Sequence, residues 1–238
     1  MMLKYKRILL KISGEALAGD NLFGIDIDTT KSICEAIKET HDLGTELGIV
    51  VGGGNFWRGR DSIGIERARA DQMGMIATVM NAVAVGNMLE KQCGIPVRVM
   101  TAVSMPQVAE PYIINRAKRH LEKGRIVILA GGTGNPFFST DSAAALRAAE
   151  IGAEVVFKAT MVDGVYDKDP KKDPTARRYD TLSFTEVLSK KLGVIDGTAA
   201  SLCRDNHIPI FVFSLDDPRN IVRAAQGENI GTLVKEDD

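Results

Sequence analysis

The 238-residue chain lacks most of the features that mark common chemistries. Cysteine occurs three times, at Cys34, Cys93 and Cys203, far apart and with no CxxC pair. That spacing excludes a disulfide framework and a thiolate zinc site, and it implies reduced thiols. Histidine also occurs three times; His41, His120 and His207 fall at helix ends or on mixed faces, and none is assigned a role. Net charge is −1 with the two signs interleaved, so there is no electrostatic case for nucleic acid or an anionic membrane as partner. No run of about 18 uncharged apolar residues occurs, so no membrane-spanning helix is expected. The start, Met1 to Arg7, leads into a strand without a secretory apolar segment. The cytoplasm is the expected location. G-x-x-x-x-G-K-[ST], G-x-G-x-x-G and His-Arg-Asp are all missing, which excludes the Walker phosphate loop, the dinucleotide fingerprint and the protein-kinase catalytic loop.

What is present reads as a globular α/β protein. Apolar residues make up 45% and charged residues 26%, near globular averages. Short apolar runs alternate with helical stretches. Strands are expected at Ile8–Ile12, Ile49–Val51, Val97–Met100, Ile126–Ala130, Val155–Lys158, Ile210–Phe213 and Thr232–Val234. Helical patterns span about 28–47, 66–93, 141–151, 185–192 and 196–206, with a further helix from Pro218. Pro111 is expected to open another helix that closes at Gly124. Asp163-Gly164 between β-branched residues predicts a tight hairpin, followed by an exposed polar loop over 168–178. Alternating strands and helices, with strands apolar on both faces, predict a mainly parallel sheet covered on both sides. No linker divides the chain, so one domain over 1–238 is expected, with lobes of about 1–160 and 161–238.

The most informative segment is Thr133-Gly134-Asn135-Pro136-Phe137-Phe138-Ser139-Thr140-Asp141-Ser142-Ala143-Ala144. It leaves an apolar strand through glycines and enters an alanine-rich helix capped by Ser139, Thr140 or Asp141. A helix start fed by a strand end presents unpaired N–H groups and partial positive charge, which suits a phosphate. Strands ending at Ser13-Gly14 and Gly52-Gly53-Gly54 finish in similar turns, and three such turns suggest one phosphate-rich crevice. Lys11 either snorkels from a sheet edge or aims a cation at a transferring phosphoryl group. Gly53 and Gly54 are either plain turn glycines or points of close backbone approach to phosphate. Arg58 is a surface arginine or a phosphate clamp. Asp71 caps a helix or binds a ligand. Phe137 and Phe138 pack in the core or wall a base. The methionines Met73, Met75, Met80 and Met88 pack in the core or against another subunit.

Lys11 to Leu17, Gly52-Gly53-Gly54-Asn55 with Arg58-Gly59, Asp71 to Met75, Thr133 to Asp141, and Lys158-Ala159-Thr160 with Val162 to Tyr166 occur in order. With them the chain resembles the bacterial UMP kinases of the amino acid kinase family over its whole length. The resemblance implies a three-layer α/β/α sandwich and transfer of a phosphoryl group from ATP with Mg2+ to UMP. It implies that Lys11, Ile12, Ser13, Gly14, Gly54 and Arg58 serve ATP, with Thr160, Tyr166 and Asp169 on its adenosine. UMP would meet Gly53, Asp71 and the run Thr133, Gly134, Asn135, Pro136, Phe137, Phe138, Ser139 and Thr140. Lys11, Arg58 and Asp141 are the implied catalytic residues, Asp141 orienting Lys11, with no metal held by protein side chains. A homohexamer activated by GTP and restrained by UTP is implied as well. Gly19, Asp20, Asn21, Leu22, Phe23 and Gly24 match the loop linked to activation, and Arg98 and Arg125 are candidates for a GTP pocket. Amino-acid-directed relatives carry a second phosphate-facing lysine; the comparable stretch here, Val194 to Ala200, has none.

Overall fold

The computed structural model describes residues 3–58, 64–170, 172–190 and 192–236. Its elements are, in chain order, β1 (Arg7–Ile12), α1 (Gly14–Leu17), α2 (Ile27–Asp42), β2 (Glu46–Val51), α3 (Arg67–Lys91), β3 (Val97–Thr101), β4 (Glu110–Pro111), α4 (Ile114–Glu122), β5 (Ile126–Ala130), α5 (Thr140–Ile151), β6 (Val155–Thr160), β7 (Thr181–Ser183), α6 (Phe184–Ser189), α7 (Gly197–Asp205), β8 (Ile210–Ser214), α8 (Asn220–Ala225) and β9 (Thr232–Lys235). One nine-stranded sheet runs β4-β3-β5-β2-β1-β6-β8-β9-β7. Its pairings are parallel except β8 with β9.

Side-chain alternation splits the core into two layers. Ile8, Leu10 and Ile12 of β1 face apolar residues of α2, α3 and α8, whereas Leu9 faces α4, α5, α6 and α7. Successive strand residues point to opposite faces, so the central strands carry apolar residues on both faces, interrupted by Lys11 in β1 and Lys158 in β6; all of β5 is buried. This gives the three-layer α/β/α arrangement. α3 is long and apolar enough, by length and composition, to cross a membrane, but here it lies on β2, β3 and β5 and against α2.

Three expectations are corrected. Pro111 does not begin a helix: it pairs with Thr101 in the short edge strand β4, where a residue without an N–H is tolerated. The helix starts instead at Ile114. The helical pattern said to run to Leu47 ends at Asp42, because Gly44 turns the chain with φ 97° and Leu47 pairs with Ile8 in the sheet. Asp163-Gly164 closes no tight hairpin. The Val165 N–H donates to Thr232 Oγ1 at 2.8 Å, and Tyr166 pairs with Arg178 as an isolated antiparallel bridge. Packing against β9 thus overrides the local turn signal.

Candidate active site

The parallel strands β1, β2 and β5 all end on the same edge of the sheet, as strand direction demands, and each passes into a glycine turn. The first two turns interlock. A Cβ on Gly14 would sit 2.6 Å from Asn55 Oδ1 and 2.7 Å from the Gly54 nitrogen, so only glycine lets the two backbones approach this closely. Buried Asn81 of α3 fixes the pair: its Nδ2 donates to the Gly52 carbonyl at 2.6 Å and to Asn55 Oδ1 at 2.7 Å. The third turn is wound by left-handed residues, Gly131, Gly132 and Gly134 at φ 75°, 60° and 85°. Thr78 of α3 accepts the Gly131 N–H at 2.9 Å.

Beyond it, Phe137 holds φ 72°, an uncommon conformation for a bulky residue. Its N–H donates to Asp71 Oδ2 at 2.9 Å, and Arg67 grips both oxygens of the same carboxylate at 2.9 Å. Asp71 is therefore an anchor for the Thr133–Thr140 loop as well as a cleft residue. Phe137 and Phe138 are 68% and 52% exposed, which overturns their reading as core. Ser139 is the N-cap of α5, its hydroxyl accepting from the Ser142 N–H.

These turns enclose one cleft of about 940 Å³, near the upper end of small-ligand sites. Lys11, Ser13, Gly14, Gly52, Gly53, Gly54, Arg58, Asp71, Thr133, Asn135, Phe137, Phe138, Ser139, Thr140 and Asp141 line it. The three strand ends expected to share a crevice do so. Ile12 lies buried beneath. Gly134 and Pro136 belong to the lining loop without facing the cleft, and Thr160, Tyr166 and Asp169 lie outside its lining. The Tyr166 hydroxyl donates to Asp163 Oδ1 at 2.8 Å. Gly59, quoted beside Arg58, lies outside the described residues.

The floor of the cleft carries the strongest charges. Lys11 Nζ is 3.1 Å from Asp141 Oδ1, and Lys158 Nζ pairs with Asp141 Oδ2 and donates to the Val194 carbonyl. Lys11 and Lys158 are 9% and 8% exposed. Burial alone would raise the Asp141 pKa, but the two ammonium groups hold it below the ordinary carboxylate value. Lys158 titrates below an ordinary lysine because burial disfavours its charge, and Asp141 opposes that shift. Removing one partner from a buried pair costs about 3–5 kcal/mol, so each member of the trio depends on the others. Asp141 follows the N-cap and does not serve as one.

Around the trio, Arg58 Nη2 lies 2.6 Å from Glu15 Oε1. Asp196, the N-cap of α7, accepts from the hydroxyls of Ser139 and Ser142. Among the described residues no three His, Cys, Asp or Glu side chains gather as a metal site. Burial pushes the Cys34 and Cys203 thiols up to about 12, so neither supplies a thiolate at neutral pH.

The Gly19–Gly24 loop leans on the same region. The Gly24 N–H donates to the Asn55 carbonyl at 3.0 Å, Asn55 Nδ2 donates back to Gly24 O at 2.7 Å, and Phe23 stacks edge-on against Phe56. Arg98 is within ion-pair reach of Glu90 and Glu110, and Arg125 faces His120. Lys158 and Asp196 were not picked out as site residues in the sequence. Lys158 was detectable, since it interrupts an apolar strand as Lys11 does.

A family model described as the amino acid kinase family matches residues 6–214. The chain belongs to that family. The match takes in every described cleft-lining residue and stops before α8 and β9. Similar solved structures include the UMP kinase from Bacillus anthracis, 38% identical, covering 98% of this chain and 97% of that chain at TM-score 0.94. The UMP kinase from Ureaplasma parvum is 36% identical over 98% of this chain and 100% of that one, at TM-score 0.92. The uridylate kinase from Archaeoglobus fulgidus is 28% identical over 95% and 99%, at TM-score 0.74.

Proposed function

We propose that this member of the amino acid kinase family transfers the γ-phosphoryl group of ATP to UMP, giving UDP and ADP, in pyrimidine nucleotide synthesis. The observation that carries this reading is the convergence of three amide-rich turns and Lys11 on one cleft of about 940 Å³. The chain that builds it is 38% identical, nearly end to end, to a UMP kinase. A UMP phosphate oxygen attacks the γ-phosphorus, the bond to the β,γ-bridging oxygen breaks, and ADP leaves with the electron pair. The acceptor phosphate is already an anion at neutral pH, so the step requires no general base. Positioning and charge compensation carry it.

Lys11, oriented by Asp141, meets charge developing on the equatorial oxygens. Amides at Ser13, Gly14 and Gly54, with Ile12 behind them and Arg58 beside them, hold the ATP phosphates. Gly53, Asp71 and the Thr133–Thr140 loop hold UMP, Phe137 and Phe138 walling the uracil. Thr160, Tyr166 and Asp169 take the adenosine beyond the cleft, so that residues from about 161 onward form the ATP lobe of a single domain. Mg2+ accompanies ATP and offsets phosphate charge. Of the cleft carboxylates, Asp141 and Glu15 are already paired with Lys11, Lys158 and Arg58, a donor set that suits a cation held by phosphates and water.

Met73, Ile76, Met80 and Val83 form an exposed apolar stripe along α3, which supports a face for a second copy within a homohexamer. Activation by GTP, with the Gly19–Gly24 loop as responder, and inhibition by UTP complete the proposal, as does a cytoplasmic location. The test follows ADP release from ATP–Mg with UMP, CMP, AMP, dTMP, carbamate, glutamate and aspartate separately. Turnover with UMP above the others is expected. Turnover with a carboxylate but not UMP, or with none of them, overturns the reading.

A further inference from the structure

Lys158 takes no part in the scheme above, yet it is one of two lysines buried on the same face of the sheet. It stands directly beside Lys11 in the parallel register of β1 and β6. Both side chains enter the layer under α5 and α7, where Asp141, Ala144, Ala145, Ile195, Ala199 and Cys203 surround them. One carboxylate serves both ammonium groups, Lys11 on Oδ1 and Lys158 on Oδ2. A lysine is seldom buried this deeply without a task, since desolvating its charge is costly.

We infer that Lys158 is a positioning and charge-balancing residue for phosphoryl transfer. Two effects follow from the geometry. Lys158 fixes the second oxygen of Asp141, so the carboxylate presents only Oδ1 to Lys11 and holds that ammonium on the floor of the cleft. Lys158 also supplies the charge that Asp141 cancels. With it the trio carries a net +1 toward the incoming phosphates; without it Lys11 and Asp141 sum to zero, and Lys11 collapses onto its partner. In a water-poor site that unit of charge is worth far more than in solvent. The bond from Lys158 to the Val194 carbonyl extends the effect, because two residues on Asp196 grips Ser139 and Ser142 of the α5 cap. The inference rests on phosphoryl transfer to a nucleotide as proposed above. Turnover by the parent enzyme tests that reading, and ratios between variants test this one.

The experiment compares the full-length parent with Lys158→Met, Asp141→Asn and the double variant in steady-state kinetics with ATP–Mg and UMP. Lys158→Met is expected to lower kcat by about 100-fold, the size of effect of losing one oriented electrostatic group, while KM for both nucleotides stays within about 3-fold. The double variant restores a net +1 but forfeits the carboxylate through which Lys158 acts, so its kcat loss is expected to be at least about 10-fold smaller than the product of the two single losses, a coupling that independent losses would not give. A double variant whose loss equals the product of the single losses, a kcat for Lys158→Met within about 3-fold of the parent, or a loss confined to KM each overturns the inference. If Lys158→Met gives no cooperative melting transition, Lys158→Gln replaces it in both the single and the double variant, and the same ratios decide.

Discussion

The two halves of the sheet do different work. From β1 to β6 the described strands run parallel, and three of them deliver tight amide-rich turns to a single cleft. From residue 161 onward the chain turns irregular. Its sheet includes the antiparallel pair β8–β9, and the Asp163–Arg178 segment is cross-tied by exposed pairs such as Arg178 with Asp163 and Lys168 with Asp173. Among the described residues of this half, only Asp196, Gly197 and Thr198 line the cleft. The difference teaches where precision resides. Charge is placed by strand ends and a capped helix, whereas the segment proposed to take the adenosine is a loop held by weak surface pairs.

Lys11→Ala should sharpen this contrast most. It removes the cation without touching either nucleoside site, so kcat is expected to fall by about 1000-fold while the UMP KM changes by less than about 3-fold. Equal turnover in variant and parent would take Lys11 out of the mechanism. Asp141→Asn comes next, through stability. At pH 7 it leaves Lys11 and Lys158 buried without a counter-charge, and Tm is expected to drop by about 8 °C. The groups acting on this carboxylate are Lys11 and Lys158, with the Cys203 thiol also in its field and Asp196 acting on Lys158. Its folded pKa lies below the ordinary 3.8, so its contribution is complete above that value and is lost as pH falls through the folded value. Thermal scans across pH 2–7 (roughly the window of carboxylate titration) should show the two proteins converging at the acid end. A gap that stays constant would contradict the pairing. The smallest effect belongs to the second half: Asp163→Ala removes the acceptor of the Tyr166 hydroxyl and leaves Arg178 with Asp180 alone among the two carboxylates in its ion-pair reach, raising the ATP KM by about 3-fold with a stability change below about 1 kcal/mol. An effect on the UMP KM instead would erase the division between the halves.

Much of the first half was legible from local pattern. The run Ile126–Ala130 can only be a buried strand, and the expected helix over 141–151 differs from α5 by the single residue Thr140, because Ser139 caps it and Gly152 ends it. Where local signals compete with packing they fail. Pro111 carries a helix-start signal but is recruited by the edge of β3. Asp163-Gly164 carries a hairpin signal, but the Val165 N–H is claimed by Thr232, 67 positions later. β7, at three residues, is too short to show a period. Lys158 stood in plain view, yet its meaning depends on the β1–β6 register, which no local window contains.

The most direct test of the central claim, that donor and acceptor meet in one cleft over Lys11, uses uridine and adenosine joined through five phosphates. Inhibition competitive with both ATP and UMP, and lost in Lys11→Ala, is the predicted result. Competition with only one nucleotide, or binding indifferent to Lys11, would contradict it.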